Sequence, residues 1–355
     1  VTSTRRAADV GTLVARAREG DPRSVARLIS LVEDASPALR EVAAALAPHT
    51  GRARVIGLTG SPGVGKSTST SMLVRALRGQ RHRVGVLAVD PSSPFSGGAL
   101  LGDRVRMQDH ATDSGVFIRS MASRGHLGGL AAATPQAVRV LDAAGCDVVL
   151  VETVGVGQAE VEVASTADTT LVLLAPGMGD GIQAAKAGIL EVADVLVVNK
   201  ADRDGAEQTV RDLKAMLALG GRHSEPGAWR PPIVSTVASR GRGVDELLAA
   251  LDKHARWLER SGEGRRRRLA RAAAEVEAIA ALPHRRPARV RGARDARRRG
   301  RHRHPRPVRG RRQARRHVDH VGAPAGQAGR GRGTGGAGRR CRPWGGVCGL
   351  RLCCA

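Results

Sequence analysis

Nine residues early in the chain, Gly60-Ser61-Pro62-Gly63-Val64-Gly65-Lys66-Ser67-Thr68, follow a β-branched run, Val55–Thr59, and open a helical pattern, Lys66–Gly79. They match G-x-x-x-x-G-K-[ST]. Three glycines in six residues let the backbone curl with its N–H groups turned inward, toward an anion. The helix that follows adds its positive end. In such a loop Lys66 reaches the β and γ phosphates of a nucleotide and the Ser67 hydroxyl ligates magnesium. A glycine-rich turn can match by accident, but the strand before it and the helix after it argue against accident. A strand–loop–helix of this kind belongs to a doubly wound α/β fold.

The rest of the chain agrees with that fold. Short apolar runs at Val84–Val89, Val116–Arg119, Val148–Glu152, Thr170–Leu174, Val195–Val198 and Pro232–Ser235 read as strands, most of them apolar on both faces as buried parallel strands are. Helical patterns fill the gaps at Pro135–Ala144, Gln208–Leu219 and Val244–Trp257. Aromatics are only 1% of the chain and Tyr is absent, so the core must be built from Val, Leu, Ala and Ile. The expected fold class is α/β: a doubly wound, mostly parallel P-loop domain over residues 51–258, preceded by an N-terminal helical module over 1–50. Within that module Asp21-Pro22 reads as an N-cap with proline at the first helical position, and a third helix is expected from Ser36 to Leu46. Residues 259–280 read as the start of a C-terminal helical arm.

Charge separates the last segment from the rest. The net charge is +25, but residues 281–355 hold 22 Arg, no Lys and only two acids, Asp295 and Asp319, for +20. The preceding 280 residues carry only +5, so basicity is a property of the tail. Three readings fit the tail: a phosphate-binding Arg/Gly arm, a solvated extension, or an out-of-frame translation of G+C-rich DNA. The lack of Lys and the abrupt break in mid-helix favour the third. Cys146 is the one cysteine outside the tail, which fits a reducing compartment. No apolar run follows Arg5 and Arg6, and no stretch of about 18 apolar residues exists, so neither a signal peptide nor a membrane span is expected, and the location is expected to be cytoplasmic.

A P-loop site needs acids near its metal at strand ends on the same edge of the sheet. Asp90 ends one strand, Asp103 closes the loop after it, and Glu152 ends another strand. Lys66, Asp90, Asp103 and Glu152 form the candidate catalytic set; Ser67, Asp90, Asp103 and Glu152 form the magnesium set. Asp90 also suits an Asp-Pro turn and Asp103 a helix N-cap, roles compatible with metal binding. Glu152-Thr153-Val154-Gly155 stands in the place of the D-x-x-G switch of GTPases, with Glu for Asp, and Gly155 would offer its N–H to the γ phosphate. No Gln occupies the usual water-positioning place; Gln158 is the nearest. Asn199-Lys200-Ala201-Asp202 follows a strand and matches N-K-x-D. The Asp202 carboxylate can accept from guanine N1–H and the 2-amino group, donors that adenine lacks. Lys200 would lay its stem over the base, Asn199 would brace the loop, and Val237-Ala238 would offer a backbone N–H to guanine O6. GTP or GDP with Mg2+ is therefore the expected cofactor.

The segments GSPGVGKST, VDPSSPFSGGALLGDRVRM, VETVGVGQAE, APGMGDGIQAAKAGILEVAD and NKAD resemble the ArgK/MeaB group of P-loop GTPases, of the SIMIBI class, over roughly residues 10–280. The middle three are far more specific than the P-loop. The resemblance implies a homodimer with low intrinsic GTPase activity that gates cofactor delivery to the cobalamin-dependent methylmalonyl-CoA mutase and protects that enzyme. It places Lys66, Ser67, Asp90, Asp103 and Glu152 at the phosphates and magnesium, Asn199 and Asp202 at guanine, and a further switch loop at 179–191. Two departures stand out. Val237-Ala238 replaces the Ser-Ala of the O6 loop, and the Arg/Gly tail replaces the helical arm that helps build the dimer.

An ATP-dependent kinase tied to basic-amino-acid transport, an older label of this group, is the alternative; Asp202 argues against its ATP preference. A metal chaperone would need Cys/His ligands, whereas Cys146 is alone and His110 and His126 form no ligand spacing. Nucleic-acid binding rests on the tail alone.

Overall fold

Runs of Val, Ile and Leu that are apolar on both faces can be satisfied only by a sheet covered on both sides, and that is what the chain builds. The computed structural model describes residues 9–34, 36–90, 107–110, 112–122, 133–153, 159–177, 192–219 and 227–281. Asp103, Gly155, Gln158, the 179–191 switch loop and the tail from 282 lie outside the described residues, as do the side chain of Asp90 and everything beyond its backbone.

Three helices come first: α1 (Val10–Arg18), α2 (Pro22–Glu33) and α3 (Leu39–Leu46). Asp21 caps α2, its carboxylate accepting the N–H groups of Arg23 and Ser24 at 3.3 and 3.2 Å. Helix α3 begins three residues later than Ser36. The Ser36 carbonyl and hydroxyl accept the N–H groups of Leu39 and Ala38, so Pro37 sits in a turn rather than in the helix. The strands are β1 (Arg54–Thr59), β2 (Val84–Asp90), β3 (Val116–Ala122), β4 (Val148–Thr153), β5 (Thr169–Leu174), β6 (Val195–Val198) and β7 (Ile233–Ser235). Between and after them run α4 (Lys66–Gly79), α5 (Thr134–Ala143), α6 (Ala159–Thr166), α7 (Ala206–Leu219), α8 (Val244–Ser261) and α9 (Glu263–Ala281). Helix α8 extends past Trp257 to Ser261 and stops at Gly262, whose left-handed φ of 70° turns the chain directly into α9.

The seven strands form one sheet in the order β3-β2-β4-β1-β5-β6-β7, and every pairing is parallel. The chain leaves β1 toward β2 on one side and later crosses from β4 to β5 on the other. The reversal at β1 makes the crevice beyond its carboxyl end the natural ligand site. On one face, Leu28, Ile29 and Leu46 of the N-terminal helices share a continuous core with Leu141 of α5 and with Leu87, Val149 and Val151 of the sheet. On the other, Leu73 and Leu77 of α4 and Leu247 and Leu251 of α8 pack over Ile56, Leu58, Val86 and Leu150. An ion pair of Arg119 on β3 with Glu33 on α2, at 2.6 Å, fastens the first helices to the sheet edge. Among the described residues no helix is long and apolar enough to cross a membrane.

Candidate nucleotide-binding site

Thr59 ends β1 in the middle of the sheet, and the loop that follows must rise from there into α4. Gly60 has φ 138°, and a Cβ on it would collide with the Leu173 carbonyl on β5. Gly65, at φ 99°, is the N-cap of α4, and a Cβ there would collide with the Asn199 side chain. Both glycines are therefore required by close approach as well as by backbone conformation. No side chain caps α4, so its first-turn N–H groups and its positive end are directed into the loop. The Lys66 amine lies within the same loop, donating to the carbonyls of Gly60 at 2.7 Å and Ser61 at 3.1 Å. Lys66 is buried.

Register then delivers the acid. Glu152 pairs with Leu58 on β1 and Ala88 on β2, so it reaches the carboxyl edge one strand away from the loop. Its side chain is 3% exposed, and its two oxygens accept from Ser67 Oγ at 2.6 Å and Thr70 Oγ1 at 2.9 Å. Asp90 occupies the last position of β2, paired with Ala122 on β3. A buried hydroxyl and carboxylate in contact at a helix N-terminus form the hard oxygen pair that suits magnesium, so these residues fit that ion. Thr70 was missed in the sequence. The run of hydroxyls in GKSTST was the available signal, but which of them faces β4 depends on how α4 sits on the sheet.

The N-K-x-D segment is tied physically to the 60–68 loop. Asn199 follows β6, is 3% exposed, and donates from Nδ2 to the Val64 carbonyl at 2.8 Å. Its Oδ1 accepts from Thr236 Oγ1 at 3.2 Å and from the Ala238 N–H at 3.1 Å. One amide side chain therefore joins three loops. Lys200 adopts a left-handed φ of 57° and donates to the Gly63 carbonyl at 2.6 Å. Asp202 stands at the rim, 3.9 Å from the exposed Arg240. In the Val237-Ala238 pair both N–H groups have protein partners. Val237 donates to the Arg242 carbonyl at 3.1 Å and Ala238 to Asn199, so a base oxygen at Ala238 shares a hydrogen that Asn199 already holds.

The opposite edge of the sheet is charged but belongs to the frame. Asp168 accepts the Val55 N–H at 3.0 Å and is gripped by Arg268, at 3.1 Å, and by Arg271 of α9. Asp194 caps the Thr170 N–H at 2.8 Å and pairs with Arg267 at 3.1 Å. His254 Nε2 approaches Asp194 to 3.3 Å without hydrogen-bond geometry. Burial pushes the Asp168 carboxyl up, but Arg271 and Arg268 outweigh it and hold the group below the ordinary carboxylate value. Asp194 behaves likewise, its burial outweighed by His254 and Arg267. A cavity of about 910 Å³ opens under α9 at this edge, and none of the phosphate- or base-loop residues lines it.

Comparison with known proteins agrees with this geometry. The sequence model described as "Methylmalonyl Co-A mutase-associated GTPase MeaB" matches residues 25–288. A Pyrococcus abyssi protein named as a GTPase is 50% identical over 270 residues, 76% of this chain and 83% of its own length. The mouse protein named "Methylmalonic aciduria type A homolog, mitochondrial" is 40% identical over 211 residues, 59% of this chain and 50% of its own length. The crystal structure of a protein named "LAO/AO transport system kinase" superposes with a TM-score of 0.63 at 28% identity, covering 78% of this chain and 85% of that one. With a phosphate-type loop, a buried strand-end carboxylate and an N-K-x-D segment brought to one edge of a parallel sheet, and a family match spanning most of its length, the chain belongs to the MeaB family of P-loop GTPases.

Proposed function

We propose that this GTPase is a chaperone that gates cofactor loading of an adenosylcobalamin-dependent methylmalonyl-CoA mutase and protects that enzyme, hydrolysis acting as a timing step. The observation that carries the guanine-dependent half is the Asn199 bridge, which couples the loop facing the base to the loop facing the phosphates. The mutase half is supported by the family's description. In this reading Lys66 neutralises phosphate charge, the backbone of Gly60–Lys66 cradles it, and Asp202 accepts from the guanine edge while Lys200 covers the base. Ser67 and Glu152, with Asp90 and Asp103, would hold magnesium, which offsets charge on the β and γ phosphates when bound. Ser67 gives its one proton to Glu152, which sets the hydroxyl oxygen toward an acceptor role.

Competition of GTP against ATP tests the base reading, and Asp202→Asn sharpens it. Asparagine keeps one acceptor oxygen but loses the charge and sets its amide N–H against a guanine donor, which weakens GTP by about a hundredfold, ~3 kcal/mol, and removes the preference over ATP. An unchanged preference overturns it. A nucleotide-dependent complex with purified methylmalonyl-CoA mutase tests the partner; a mutase that neither binds nor changes its inactivation rate with GTP overturns it. The second reading, an ATP-dependent kinase linked to lysine/arginine/ornithine transport, draws on the name of the superposed transport-system kinase. It requires ATP to win that competition.

A further inference from the structure

Glu152 stands where the GTPase switch motif usually carries Asp, and the extra methylene has a mechanical consequence. A longer arm adds a rotatable bond, and the terminal torsion of a glutamate is broad rather than sharply staggered. Burial alone does not choose which oxygen faces the phosphate loop. Two hydroxyls on α4 contribute to that choice. Ser67 and Thr70 are three residues apart and so lie on one helix face. Ser67 Oγ takes Oε1 at 2.6 Å and Thr70 Oγ1 takes Oε2 at 2.9 Å. Thr70 is fully buried, and its hydroxyl also lies 3.1 Å from the Lys66 carbonyl one turn back. A hydroxyl has one proton, and the nearer, charged oxygen of Glu152 takes it. The branched Cβ restricts the threonine rotamer.

We infer that Thr70 is a positioning residue for the metal side of the site: it pins Oε2 of Glu152 so that Oε1 stays with Ser67. This rests on the reading of Glu152 as a magnesium carboxylate. Without the Thr70 hydroxyl the carboxylate loses one of its anchors, and the Ser67–Oε1 contact is held less firmly.

Thr70→Val keeps the shape and removes the hydroxyl, Thr70→Ala removes it in case valine prevents folding, and Thr70→Ser restores it. The measurement is equilibrium binding of fluorescent GDP in EDTA and across a magnesium series, with Glu152→Gln alongside. The hydroxyl-free variants raise the magnesium concentration for half-maximal tightening by about tenfold, the worth of one hydrogen bond to a charged group, and leave GDP affinity in EDTA unchanged. Thr70→Ser returns to within about twofold of the parent by the same reasoning. If Glu152→Gln shifts the magnesium dependence and Thr70→Val does not, the Thr70 assignment fails while the metal reading stands. If Glu152→Gln leaves it unshifted, the metal reading fails and the assignment with it. Equal weakening with and without magnesium, or no recovery in Thr70→Ser, identifies a packing role and also overturns it.

Discussion

Replacing Asn199 with alanine removes three buried hydrogen bonds at once: Nδ2 to Val64, and Oδ1 from Thr236 and Ala238. Each is worth about 1 kcal/mol net, so about 3 kcal/mol is at stake, an upper bound near 100-fold in affinity if all of it is felt by the nucleotide. The bonds to Val64 and Ala238 link Asn199 to separate loops that a guanine nucleotide must hold together, so most of the loss falls on binding. Titration of fluorescent GDP should show weakening of about 10- to 100-fold, with a modest drop in melting temperature for the remainder. Asn199→Asp separates the components. It keeps the acceptor for Thr236 and Ala238 but turns the Val64 contact into an oxygen–oxygen repulsion, so its deficit belongs to the phosphate-loop link alone. GDP affinity within about threefold of the parent in Asn199→Ala, with an unchanged melting temperature, would refute the bridge as an energetic element.

Two further outcomes concern the opposite edge. Arg271→Ala leaves Asp168 with Arg268 and the Val55 N–H, so it should cost about 2 kcal/mol and lower the melting temperature by about 4–8 °C, read by calorimetry. GDP affinity should not change, because the two ends of the sheet share no contact through this residue; a parallel loss of binding contradicts that separation. Acid should act through Asp168 and Asp194, whose folded carboxyls are held below their unfolded values. Their stabilisation is complete above about pH 5, a unit above the unfolded value, and is lost as pH falls through the lower folded values, so urea midpoints should be flat from neutrality to about pH 5 and fall below it. Asp168→Asn should flatten part of that fall, and an unaltered acid limb contradicts the assignment.

The elements that were legible in the sequence are those written in consecutive residues. The phosphate loop announces itself because glycines at 60, 63 and 65 answer a local backbone demand, and α4 begins at Lys66 where the motif places it. The strands were readable because apolar runs on both faces permit little else, and the N-K-x-D segment because it follows one of them. Helix ends were less so: α3 starts late because Ser36 and Pro37 prefer a turn to a first helical turn.

What remained hidden depends on residues far apart in the chain. Asn199 meets Val64 across 135 positions, Thr70 meets Glu152 across 82, and Arg271 meets Asp168 across 103. Each pairing follows from the strand order β2-β4-β1-β5-β6 and from how α4 and α9 rest on the sheet, and no local pattern encodes either. The same distance explains the Ala238 N–H, which looked available in a short motif and is engaged by Asn199 once β6 and β7 lie side by side. Backbone conformation is a near-neighbour property and can be read along the chain. Which buried donor meets which acceptor is settled only when packing brings the strand ends to a common edge.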